Sequence, residues 1–170
     1  FPQFNKATLD QLVYQNNRWN FAEQKVNIAV QSAGPAARAD SYLQNYVYLN
    51  NLLLVTNGNC KNNVLNMVAF NRQTLLPYSV NSAYLCGNPP FSMNNLPDDG
   101  IVKDSLFAKY LAKVPKGDYV LLFTSGTISW DKWPPAMKQL LRQLGADSAN
   151  VAALKSSFPY ILLGQKGATK

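Results

Sequence analysis

Residues 116–167 carry an order of local signals that narrows the fold more than anything else in the chain. Lys116-Gly117-Asp118 reads as a turn, and Tyr119 to Phe123 is a short continuous apolar run. Such a run suits a strand covered on both faces. A helix is expected from about Pro134 to Leu144, with Met137, Leu140, Leu141 and Leu144 at i, i+3, i+4 and i+7. Proline suits its first turn and Gly145 its C-terminal cap. Tyr160 to Leu163 predicts a last buried strand, and Gly164 to Lys170 a tail.

Upstream, the same reading gives strands and turns. Phe1 to Trp19 opens with Thr8 to Tyr14, which fits a short helix or a strand equally well. Glu23 to Val30 alternates, with Val26, Ile28 and Val30 on one side, as in a half-buried strand. Tyr46 to Val55 predicts a strand or two, broken at Asn50-Asn51. Val64 to Phe70, the turn Asn71-Arg72-Gln73-Thr74 and Leu75 to Val80 read as a β-hairpin. Residues 87–100 hold Pro89, Pro90, Pro97 and Asp98-Asp99-Gly100, and predict a long irregular connection ending in a turn. Asp104 or Ser105 caps a helix running to about Lys113, with Leu106, Phe107, Tyr110 and Leu111 as its apolar stripe. The mixture of many strands with two or three short helices is α+β, with antiparallel pairing expected in the first half and strand-helix-strand units later.

Composition then removes function classes. The chain has 170 residues, 47% of them hydrophobic and 15% charged, which is the make-up of a folded domain with a sizeable core. Histidine is absent. That excludes Ser-His-Asp and Cys-His catalysis and histidine-bearing metal sites within the chain. Sixteen bases against nine acids give a net charge of +7. The bases do not cluster, though Lys109, Lys113 and Lys116 would line one helix face, so nucleic acid is not an expected partner. No apolar run is long enough to span a membrane. The chain starts at Phe1 without a signal peptide, which suggests processing or a piece of a larger protein.

Cys60 and Cys86 lie in loops rich in Asn, Gly and Pro, and a disulfide between them is expected. It would add about 3 kcal/mol by the chain-entropy argument and imply an oxidising compartment. Two unrelated buried thiols are the alternative. Trp130 and Trp133 flank Asp131 and Lys132. Exposed, Trp130, Asp131 and Trp133 would be candidate binding residues, stacking on a sugar or anchoring an interface. Buried, the indoles would pin the following helix. Asp98-Asp99 reads as turn chemistry, and Gly164-Gln165-Lys166-Gly167 lacks the spacing of a phosphate loop. No catalytic residue, metal site or cofactor is expected.

The ordered set of Gly117-Asp118, the apolar strand, the helix ending in Leu144-Gly145-Ala146 and the aromatic-led strand ending in Gly164-Gln165-Lys166-Gly167 resembles the interleukin-like EMT inducer (ILEI) domain. The hairpin of residues 62–80 and the helix of 105–113 fit the same family. Ser125-Gly126-Thr127 and Trp130 to Trp133 look more like the version found within large secreted Bacteroidetes proteins, such as gingipain-like peptidases linked to type IX secretion. The resemblance implies a compact sandwich of two mainly antiparallel sheets with short helices and no catalytic residues. It implies residence outside the cell, secreted or at the cell surface. It makes residues 51–170 the domain and residues 1–50 an added strand region or the end of a neighbouring domain. The expected role is an interaction module that binds a protein partner or a glycan, or holds neighbouring domains in place. A carboxylate-dependent glycosidase is the alternative, and it requires two facing acids in a cleft.

Overall fold

The two longest strands form the centre of the molecule because they are mostly apolar and buried along almost their whole length. A computed structural model describes residues 12–15, 18–21, 26–34, 45–50, 52–55, 63–80, 85–86, 93–156 and 158–168. In chain order the strands are β1 (Leu12–Gln15), β2 (Arg18–Phe21), β3 (Ile28–Gln31), β4 (Tyr46–Leu49), β5 (Leu52–Val55), β6 (Val64–Phe70), β7 (Pro77–Tyr78), β8 (Leu85–Cys86) and β9 (Met93–Pro97). Helices α1 (Asp98–Asp104) and α2 (Leu106–Lys113) then precede β10 (Tyr119–Ser125). A 3-10 turn (Trp130–Lys132), α3 (Pro135–Gln143) and α4 (Ser148–Ala152) lead to β11 (Ile161–Gln165). None of the described helices is long and apolar enough to cross a membrane.

The fold is α+β, and every strand pair among the described residues is antiparallel. The main sheet runs β11-β10-β6-β9-β8, with β7 also on β6. A second sheet runs β3-β4-β5, and β1-β2 form a hairpin of their own. Alternation of side chains sends successive residues of β6 and β10 to opposite faces. Leu65, Met67 and Ala69, with Val120 and Leu122, meet the helices. Val68, Phe70, Leu121 and Phe123 meet Val47 and Leu49 of the second sheet, with Val26, Ile28 and Val30 packed alongside. Three layers result: second sheet, main sheet, helices. The boundary expected at residue 50 falls inside the β4–β5 hairpin, and residues on its N-terminal side build the second layer.

Three local readings are corrected. Met93–Pro97 is a buried strand instead of irregular chain, because Asn94 and Asn95 find partners there. The Asn94 amide donates to the Val80 carbonyl at 2.8 Å and its oxygen accepts from the Val80 N–H at 3.1 Å. Asn95 Nδ2 donates to Asn66 Oδ1 at 2.7 Å. Those bonds override the low strand propensity of asparagine. Asp98-Asp99-Gly100 forms the first turn of α1, not an isolated turn. Ser105 precedes α2 at φ 52°, but its side chain makes no capping bond; the helix is held by packing of Leu106, Phe107, Tyr110 and Leu111.

The C-terminal end of α2 is capped from a distance. Lys166 Nζ donates to the carbonyls of Leu111 at 2.7 Å, Ala112 at 3.1 Å and Val114. A cation there also meets the negative end of the helix dipole. Lys166→Met keeps the stem and removes the donor. It is expected to lower stability by about 1–2 kcal/mol in urea unfolding; an unchanged midpoint would mean that water replaces the cap at no cost.

Candidate interaction surface

The second sheet is narrower than the main one. Ile28 of its edge strand β3 and Leu163 of β11 line one groove, and the exposure of Ile161 and Leu163 leaves β11 uncovered on that face. Tyr160 to Leu163 reads in the sequence as a buried strand. Instead Ile161 is 46% and Leu163 52% exposed, while Leu162 packs on the helix-side core. An apolar groove of about 210 Å³ opens along this side, lined by Val26, Ile28, Phe70, Leu75, Tyr119 and Leu163.

The hairpin turn after β6 places Leu75 in the groove wall. Asn71 Oδ1 accepts from the N–H groups of Gln73 at 2.9 Å and Thr74 at 3.0 Å, and the Asn71 carbonyl accepts from Leu75 N at 2.8 Å. Leu75 consequently sits at φ 55°, in the left-handed region. For a leucine that conformation costs about 1–2 kcal/mol. The turn bonds hold it there.

Asp118 fixes the base of the groove to the same turn. It is buried, and its carboxylate accepts from Arg72 N at 3.2 Å and from Tyr78 Oη at 2.7 Å. Burial first, and the bond to Asp118 second, hold the Tyr78 phenol well above the ordinary tyrosine value of 10.0. Between the two values the folded chain keeps a proton that the unfolded chain has lost. Stability therefore falls as pH rises above about 10. Tyr78→Phe should flatten that part of the alkaline urea-midpoint profile; a profile of unchanged slope would show that another group titrates there.

The tryptophans lie on the other side of the main sheet. Trp130 is fully buried and Trp133 is 3% exposed, both within the helix-side core. Their ring centroids are 4.5 Å apart; Trp130 also meets Tyr160 at 5.3 Å and Trp133 meets Phe107 at 5.8 Å. Neither Nε1 has a hydrogen-bond partner. A sugar ring has no access to these faces, so the indoles pin α3 to the core, as the buried reading required. Asp131 alone of the three candidates is exposed. It accepts from Ser156 Oγ at 2.6 Å, and that bond holds its carboxyl below the usual range. The three candidates therefore do not form one surface.

Other singled-out residues have structural partners. Asp98 accepts from Ser129 N, Asp99 from Gly100 N, and Asp147 from Ala149 and Asn150 N. Among the described residues, no three of His, Cys, Asp and Glu gather as metal ligands. Ser125 Oγ accepts from Asn45 Nδ2 and Gly126 N donates to the Ala33 carbonyl, so this stretch ties β10 to the second sheet. Lys109 and Lys113 are exposed on α2, but the helix stops at Lys113, so Lys116, also exposed, lies in the following turn and not on the same helix face. Cys86 is buried at the end of β8, and its expected partner Cys60 lies outside the described residues.

The sequence carries one signal for the groove. Ile161 and Leu163 share a parity in β11, and so does each pair of partners on β10, but only the width of the covering sheet says which face is left bare. No family model matches the chain, and no curated protein matches it.

Proposed function

We propose that this chain is a non-catalytic interaction module that binds a protein partner through the groove between β3 and β11. The observation that carries this reading is the exposure of Ile161 and Leu163 beside an apolar groove. Monomeric proteins seldom leave such clustered apolar surface without a use. The family resemblance of residues 116–167 supports a setting within a larger secreted or surface protein of the Bacteroidetes kind. A Cys60–Cys86 disulfide would belong to that setting. Its presence predicts a mass gain of two hydrogens on reduction; an unchanged mass would remove it.

The test is direct binding. The chain is titrated against the domains adjoining it in its parent protein, and in parallel displayed on a glycan array. Saturable binding to an adjoining domain, weakened by Leu163→Lys, is the expected result. Binding to glycans with no effect of Leu163→Lys would move the function away from this groove. Silence in both arms would reduce the chain to a spacer.

A further inference from the structure

We infer that β11 is a strand-addition site, and that its occupant is an extended peptide segment of a partner protein with apolar side chains at alternate positions and carboxylates at one end. This rests on the interaction-module reading and names its mode.

The backbone register supplies the first argument. β11 pairs with β10 from Tyr119↔Gln165 to Phe123↔Ile161. Just beyond the two ends, Thr124 N donates to the Tyr160 carbonyl at 3.0 Å and Lys166 N donates to the Asp118 carbonyl at 2.9 Å. Even-numbered residues of this strand therefore turn their polar groups toward β10. In an antiparallel ladder the intervening residues turn theirs the other way. The N–H and C=O of Ile161 and Leu163 face outward, at the end of the sheet, where no described strand pairs with them. Two such residues offer a partner strand four backbone hydrogen bonds, which is how peptides are captured at sheet edges.

The second argument is the side chains. Ile161 and Leu163 lie on the face that the second sheet leaves uncovered. A partner strand laid along the outer edge of β11 puts every other side chain beside Ile161 and Leu163, next to the groove that Leu163 lines. That arrangement selects β-branched or aromatic residues at alternate positions.

The third argument is charge. Arg72 and Lys116 are both exposed, and Arg72 Nη1 donates to the Lys116 carbonyl at 3.1 Å. They stand at the Gln165 end of β11, where Gln165 Nε2 donates to the Gly117 carbonyl at 2.8 Å. Asp118 at this end is buried and engaged. At the opposite end Lys155 Nζ lies 5.9 Å from the centre of the exposed Phe158 ring. The paired cations at the Gln165 end, on a chain of net charge +7, favour an occupant with carboxylates at that end and disfavour a second copy of the chain.

The experiment is a selection of random displayed peptides on the folded chain, followed by synthesis of the enriched sequence. Affinity is read by fluorescence anisotropy and amide protection by hydrogen exchange. Enrichment of alternating β-branched or aromatic residues with Asp or Glu at one end is expected, together with new protection of the Ile161 and Leu163 amides. Leu163→Pro removes an outward N–H without breaking a bond to β10. It is expected to weaken the peptide about tenfold or more while leaving the thermal midpoint close to wild type. Should that variant fold poorly, the paired reversal Arg72→Glu and Lys116→Glu tests the same site and should weaken the acidic peptide by a similar factor.

Peptides without the alternating pattern, protection elsewhere, or no enrichment would overturn strand addition. If adjoining domains still bound and still needed Leu163, the module reading would stand without it. A concentration-dependent dimer abolished by Leu163→Pro would give the edge to a second copy and also overturn the proposal.

Discussion

Gly164→Ala is expected to destabilise the chain by about 3 kcal/mol, although it adds a single methyl group. A Cβ at this position would lie 1.9 Å from the Leu144 carbonyl oxygen and 2.8 Å from its carbon. Both are backbone atoms, so no rotamer change relieves the clash. They cannot retreat, because the end of α3 is closed by bonds on every side. Ala146 N donates to the Leu141 carbonyl at 3.0 Å and Gly145 N to the Arg142 carbonyl at 2.9 Å, a Schellman end with Gly145 at φ 96°. Gly167 N then donates to the Gln143 carbonyl at 3.2 Å, tying the exit of β11 to the same turn. Accommodating the methyl group means lifting α3 off β11. Urea unfolding reads the effect, and a loss under about 0.5 kcal/mol would show that the helix end moves freely. Gly145→Ala is the contrasting control. Nothing lies within 4 Å of its added Cβ, and only its left-handed backbone is strained, a cost of about 1–2 kcal/mol.

Trp130→Ala is expected to cost about 3–5 kcal/mol, the range for truncating a large core aromatic. The side chain is fully enclosed and touches Trp133 and Tyr160 through their rings. Its Nε1 has no partner, so Trp130→Phe loses apolar volume but no hydrogen bond. That variant should cost clearly less than the alanine, since no partner group is stranded. Chemical denaturation of both separates the anchoring role from a binding role. A stable Trp130→Ala that had lost affinity for a glycan would place the indole at a surface site and contradict its burial.

Much of the fold was legible from local pattern. β6 runs Val64–Phe70, where the apolar run placed it, and the hairpin through residues 71–78 follows its turn signal. The α2 stripe of Leu106, Phe107, Tyr110 and Leu111 is buried as its spacing required. The alternation of Val26, Ile28 and Val30 against exposed Asn27 and Ala29 also reappears. Each of these depends on one face of one element, which sequence periodicity encodes directly. β9 was missed because its stability comes from Asn94 and Asn95 bonding to Val80 and Asn66, residues distant in sequence. Asp118 looked like half of a turn and proved to be a buried acceptor for Arg72 N and Tyr78 Oη, for the same reason.

The candidate surface was less legible than the fold. Trp130 and Trp133 have the composition of a binding site, yet residue type does not record depth. Tyr160-Ile161-Leu162-Leu163 has the composition of a core strand, yet half of it is bare.

The sequence by itself determined the strands and helices that rest on one periodic apolar face, among them β6, α2, β10 and α3, and that histidine chemistry is absent. Those properties reside in hydrophobic period, turn residues and composition, and a chain carries them before it folds. The tertiary structure alone decided which of two equally apolar stretches is covered. A three-stranded sheet laid against a wider one shields β10 and β6 and leaves one face of the last strand uncovered. Burial is set by what lies across the interface, and no residue of β11 encodes the width of the layer that faces it.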